Sequence, residues 1–142
     1  MNIGNSILAG NRDGRFPSDP LFAPDCFNNE PFTFTSFRGN LLGINANCNL
    51  SDTIFDGTPF DQVGTSKAPL DPRLNTLFDY GGPTMTHALL LGSPAIDRGT
   101  GVTSATFFDC PKTDQRGGPR GGTGGTGKGC DVGAFEYVFW GR

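Results

Sequence analysis

The 142-residue chain has no long apolar run: the longest stretch, Ala88 to Leu91, falls far short of the roughly 20 residues that span a bilayer. No membrane span is therefore expected. Charge is also scarce, at 18% of residues, and the net charge of −3 gives none of the basic surface that nucleic acid or an anionic membrane requires. Nucleic acid is excluded as an expected partner. Histidine occurs once, at His87, and no CxxC pair is present, so zinc has no ligand set of the usual spacing. The opening MNIGNSILAG lacks the basic and apolar regions of a signal peptide, so any export signal is expected upstream or already removed.

Gly (22) and Pro (11) together make nearly a quarter of the chain, which disfavours long helices and favours short segments punctuated by turns. Thirteen Phe supply apolar surface for a packed interior. The length suits one domain, taken as 1–142. The expected class is all-β.

Four cysteines, Cys26, Cys48, Cys110 and Cys130, are even in number and widely spaced, which favours disulfides over buried thiols and implies an oxidising compartment. Three connectivities are open. The most local pairs Cys26 with Cys48 and Cys110 with Cys130.

Short buried strands are expected where aliphatic residues lie between Asn and Gly, as in Asn5–Asn11 (NSILAGN) and its likeness Gly39–Asn45 (GNLLGIN). Phe32–Phe37 alternates aromatic and hydroxyl residues, as a half-buried strand does. Asn45, Asn47 and Asn49 are spaced so that their amides would stack between neighbouring turns. Tyr80-Gly81-Gly82-Pro83-Thr84 predicts a change of direction, and Thr86–Leu91 fits a buried strand better than a helical turn. Residues 117–129, eight of them glycine, read as a flexible loop, and Asp131–Trp140 as a closing C-terminal strand.

An ordered series of motifs is more specific. Asp71-Pro72-Arg73-Leu74, Gly81–His87, Gly92–Asp97, Asp114–Gly117 and Cys130–Glu136 together resemble the C-terminal region of bacterial β-helix surface proteins with the choice-of-anchor Q domain. Asn5–Asn11, Ala23–Cys26 and Gly39–Gly43 resemble that family's preceding coils. The resemblance implies a right-handed parallel β-helix of few irregular coils, with long loops, at the bacterial cell surface or outside the cell. Two features depart from the family pattern: no sorting signal follows Glu136, and the glycine-rich insertion before Cys130 is longer than usual. A short β-helix leaves coil ends to be covered, so homo-oligomers or upstream β-helix coils are the expected partners.

Chemistry is sparse by comparison. Gly122–Lys128 matches the start of a phosphate-binding loop, but Gly129 stands where that motif needs Ser or Thr. His87 has no serine or cysteine in a nucleophile context and reads as structural. Asp97, Asp109, Asp114, Asp131 and Glu136 would supply paired carboxylates for glycosidic chemistry, yet their turn-rich setting favours capping of backbone amides. Asp97, Asp114 and Asp131 are the candidates for Ca²⁺, with a pairing of Arg116 to one of these aspartates as the stronger structural alternative. Tyr80 and Trp140 are the candidate aromatic contacts for surface glycans, and Asn49-Leu50-Ser51 is a formal glycosylation sequon.

The expected function is a structural module for presentation, adhesion or self-assembly, without enzyme activity. A polysaccharide-active or carbohydrate-binding fragment is the alternative.

Overall fold

The structure, a computed structural model, describes residues 2–11, 24–27, 35–46, 48, 54–55, 58–59, 61–99, 110–121 and 129–138. The chain divides into two compact units, Met1–Asp71 and Pro72–Arg142. Only strands, turns and irregular segments occur among the described residues, with no helix.

Among its described residues the first unit holds nine short strands: β1 (Asn2–Ile3), β2 (Ile7–Leu8), β3 (Cys26–Phe27), β4 (Thr35–Ser36), β5 (Asn40–Leu42), β6 (Asn45–Ala46), β7 (Ile54–Phe55), β8 (Thr58–Pro59) and β9 (Asp61–Val63). The two similar aliphatic segments lie side by side, β2 pairing with β5 in parallel register at Ile7↔Leu41 and Leu8↔Leu42. β9 pairs with the far side of β5, also in parallel, giving the order β2-β5-β9. Strand β1 pairs in parallel with β4, and β3 with β6. Leu41 and Leu42, on the central strand, are wholly buried, and Leu42 packs in a cluster with Ile3, Cys26 and Cys48.

Polar side chains link the paired segments where the strands are too short to do so alone. The Ser6 amide donates to Asn40 Oδ1 at 3.1 Å. The Asn40 amide and Nδ2 both donate to Asp61 Oδ1, at 3.0 and 2.9 Å. This buried ladder crosses the same three segments as β2, β5 and β9. Asp25 acts similarly, accepting the amides of Asn11 and Ile44, each at 2.7 Å. Cys26 and Cys48 form a disulfide across a separation of 22 residues. Converting both to serine is expected to lower the unfolding free energy by about 3 kcal/mol, read from the urea midpoint.

In the second unit, β10 (Leu74–Phe78) and β11 (Thr86–Leu89) form an antiparallel hairpin, with Leu77↔His87 and Phe78↔Thr86 in register and an irregularity between Leu74 and Leu77. The strand expected at Thr86–Leu91 is present over 86–89, where Ala88 and Leu89 are buried. At the middle of β10, the Thr76 amide donates to Asn75 Oδ1 and the Tyr80 hydroxyl donates to the Thr76 carbonyl. Those contacts occupy backbone groups that an incoming strand would use.

The turn between the strands carries Gly81 and Gly82 at φ of 94° and 89°. A Cβ at Gly82 would lie 2.5 Å from Arg116 Cα, so both conformation and space demand glycine there. Gly82→Ala is expected to destabilise this unit by about 1–3 kcal/mol, measured by urea unfolding.

Two expectations are corrected. The right-handed parallel β-helix is not formed: the strands fall into small sheets of two or three, and two pairings, β7 with β8 and β10 with β11, are antiparallel. Among the described residues no sheet exceeds three strands. The closing strand expected over Asp131–Trp140 is also absent across 131–138, where no ladder forms. The physical reason is competition for the backbone: the amides of Asp131, Glu136 and Tyr137 donate to carboxylates rather than to a neighbouring strand. Phe32–Phe34 lie outside the described residues, with Thr35–Ser36 forming β4. Asn47 and Asn49 lie outside them too, while Asn45 Oδ1 accepts the Cys48 amide at 3.0 Å.

Candidate functional site

The densest polar chemistry lies in the second unit, where residues 110–121 and 129–138 are joined by the Cys110–Cys130 disulfide. Asp114 opens a tight turn whose shape follows from its side chain. Its Oδ1 accepts the amides of Arg116 and Gly118 at 2.9 and 3.0 Å, while Gly117 takes a φ of 86°. Its Oδ2 accepts Arg116 Nε at 2.9 Å, Arg116 Nη2 at 2.6 Å and the Glu136 amide at 3.0 Å. One carboxylate thus holds its own turn and a segment 22 residues away.

Arg116 continues the connection. Its Nη2 also donates to the Glu136 carbonyl at 2.8 Å, and its guanidinium carbon sits 3.5 Å from the Phe135 ring centroid. Phe135 meets Tyr80 edge-to-face at 5.8 Å, and Tyr80 meets Phe78 in the same manner at 5.7 Å. A cation–aromatic stack therefore ties the loop to the hairpin.

Arg120 pairs with the buried Glu136: Nη1 lies 3.1 Å from Oε2 and also donates to the Asp131 carbonyl at 3.0 Å, and Nη2 donates to the Gly133 carbonyl. Glu136 in turn accepts the amides of Gly121 at 3.1 Å and Asp131 at 3.0 Å. Asp131 accepts the Asp97 amide at 2.8 Å on one oxygen and the Tyr137 amide on the other.

These environments separate two aspartates. Burial by itself would raise the Asp114 carboxyl; the Glu136 amide, the Arg116 guanidinium and the amides of Gly118 and Arg116 outweigh it and hold Asp114 below its ordinary value. Burial pushes Asp131 up to about 6, against the pull of the Asp97 and Tyr137 amides and with help from the charges of Glu136 and Asp97. Their contributions to stability have opposite signs. The lowered group stabilises the fold above its unfolded value and loses that effect as pH falls through the folded one. The raised group stabilises most below pH 3.8 and loses the effect as pH rises through about 6. Between pH 4 and pH 7, Asp131 is expected to lower stability by up to about 3 kcal/mol, a slope that urea midpoints would show and Asp131→Asn would remove.

The cysteine pairs formed are the local ones, Cys26–Cys48 and Cys110–Cys130. Gly99 packs against the second of them, where a Cβ would collide with the Cys130 sulfur. Of the Ca²⁺ candidates, Asp114 and Asp131 lie in the carboxylate network and Asp97 joins it through its amide; the oxygens of Asp114 and Asp131 face N–H donors. Among the described residues no three acidic, histidine or cysteine side chains converge as a metal site would require.

His87 is exposed, with Nδ1 2.7 Å from the Asn75 carbonyl. Tyr80 belongs to the aromatic stack. Trp140, Asp109, Asn49–Ser51 and the stretch 122–128 lie outside the described residues. Sequence reading missed Arg120, whose only local signal is a cation between Pro119 and Gly121 in a glycine-rich stretch.

Comparison with protein-family models, curated proteins and solved structures found no match.

Proposed function

We propose that the protein is an extracellular structural module whose work is presentation or self-assembly at a cell surface. The observation that carries this reading is the engagement of the densest polar cluster with the protein's own backbone. Asp114, Asp131 and Glu136 all accept backbone amides, and Arg116 and Arg120 both donate to backbone carbonyls. Such a cluster stiffens loops. Two disulfides are consistent with an oxidising compartment, and no helix among the described residues is long and apolar enough to cross a membrane. The likeness of the ordered motifs to bacterial surface proteins supports the cell surface as the location.

Large apolar side chains left in solvent support the assembly part of the reading. Leu77, Phe78, Met85 and Leu91 are 54%, 61%, 61% and 68% exposed, all on or beside the β10–β11 hairpin. Grouped exposed apolar residues mark association surfaces more often than isolated ones do. Light scattering of the oxidised protein over a wide concentration range is expected to show a dimer or larger species. Replacing Phe78 and Leu91 by serine is expected to shift it toward monomer. A wild-type protein that stays monomeric at every concentration would overturn the assembly reading.

A further inference from the structure

We propose that Asp131 is a proton-operated latch on the segment 131–138: ionised, it clamps the amides of Asp97 and Tyr137 together, and protonated, it keeps only one of them. Among its described residues the second unit has three buried carboxylates in one network, and they are not equivalent. Asp114 pairs with Arg116, and Glu136 pairs with Arg120. Asp131 faces two amides and no cation among the described residues.

The groups around Asp131 come from three places. The turn before β-free residues 98–99 contributes Asp97, a second acid whose backbone takes a left-handed φ of 56°. The latch's own segment contributes Glu136, also negative, and the Tyr137 amide. The loop 113–120 contributes Arg120, but its Nη1 points to the Asp131 carbonyl and to Glu136. The charges acting on this carboxyl are therefore mainly repulsive. Burial is the larger cause, and with these charges beside it the titration moves to about 6, within reach of mild acidification.

The consequence for the hydrogen bonds follows from donor and acceptor capacity. A carboxylate accepts on both oxygens, as Asp131 does here. A carboxylic acid turns one oxygen into an O–H donor, which meets an N–H donor poorly. With the Asp97 and Tyr137 amides converging from either side, the acid satisfies one and releases the other. Proton uptake thereby stabilises the buried group while loosening one end of the clamp.

Residue-resolved NMR on the full chain tests this. The Asp131 carboxyl carbon is expected to titrate with a midpoint near 6. Exchange protection of the Asp97 or Tyr137 amide, corrected for intrinsic rates, is expected to fall about tenfold or more on passing from pH 7.5 to about pH 5. Asp131→Asn should give the low protection at every pH. Asp97→Asn, which keeps the amide and suits a left-handed backbone, should lower the midpoint without abolishing the change. A midpoint at or below that of an ordinary aspartate, about 4, or protection of both amides that is unchanged across the range would overturn the latch. The wild-type titration decides the matter even if Asp131→Asn fails to fold.

Discussion

Asp114→Ala is expected to cost the second unit about 3–5 kcal/mol, a large share of the stability of any small folded unit. The side chain is wholly buried, and its removal leaves the Arg116 guanidinium and the amides of Arg116, Gly118 and Glu136 without their acceptor. The half-buried Arg116 guanidinium, left with the Glu136 carbonyl alone, is the costly part, because it lies against Phe135 and turns fully to water only by giving up that stack. Asp114→Asn retains the shape and one acceptor oxygen, so its cost is expected to be smaller. Urea unfolding followed by circular dichroism would measure both. A loss under about 1 kcal/mol for Asp114→Ala would mean that the network does not brace the loop.

The second large effect is expected in the first unit. Leu42 lies on the middle strand of β2-β5-β9, has no exposed surface and contacts the cluster of Ile3, Cys26 and Cys48. Leu42→Ala removes buried methyl groups and leaves a cavity between two flanking strands, at a cost of about 2–5 kcal/mol. Leu91→Ala makes the same chemical change at a site 68% exposed in the single chain and, measured at a concentration where the protein is monomeric, is expected to stay within about 0.5 kcal/mol of wild type. The difference between these two leucines, taken from urea midpoints, isolates burial from side-chain type.

Local features of the fold were legible. Asn5–Asn11 and Gly39–Asn45 look alike because both place aliphatic residues on a short strand, half-buried in β2 and buried in β5, and the two strands pair directly at Ile7↔Leu41. The reversal at Gly81-Gly82 follows from backbone conformations that only glycine adopts freely, and it joins β10 to β11. The local cysteine pairing was one of three open choices, and it is the pairing formed.

What was not legible depends on partners distant in sequence. Asp131–Trp140 has the aromatic content of a strand, yet amides within 131–137 are captured by carboxylates, one of them Asp114 from 22 residues upstream. Strand propensity measures a preference for pleated packing and says nothing of a buried acceptor waiting nearby. The step from paired parallel segments to a β-helix failed for a related reason. The strands are two or three residues long in most places, and further pairing runs antiparallel in the β10–β11 hairpin.

In the site, Arg116 with an aspartate was foreseeable from their closeness in sequence. Arg120 with Glu136 was not, since 16 residues and most of the glycine-rich stretch separate them. Nor did composition distinguish Asp131 from Asp114: burial raises both, strongly at Asp131, while at Asp114 the Glu136 amide, the Arg116 guanidinium and two turn amides outweigh it.

The most direct test of a disulfide-stapled extracellular module is differential alkylation of the protein taken from its native source, with the cell fractions kept apart. The expected result is protein outside the cytoplasm whose Cys26, Cys48, Cys110 and Cys130 react only after reduction, in the pairs Cys26–Cys48 and Cys110–Cys130. Protein confined to the cytoplasm with all four thiols open to alkylation would contradict it.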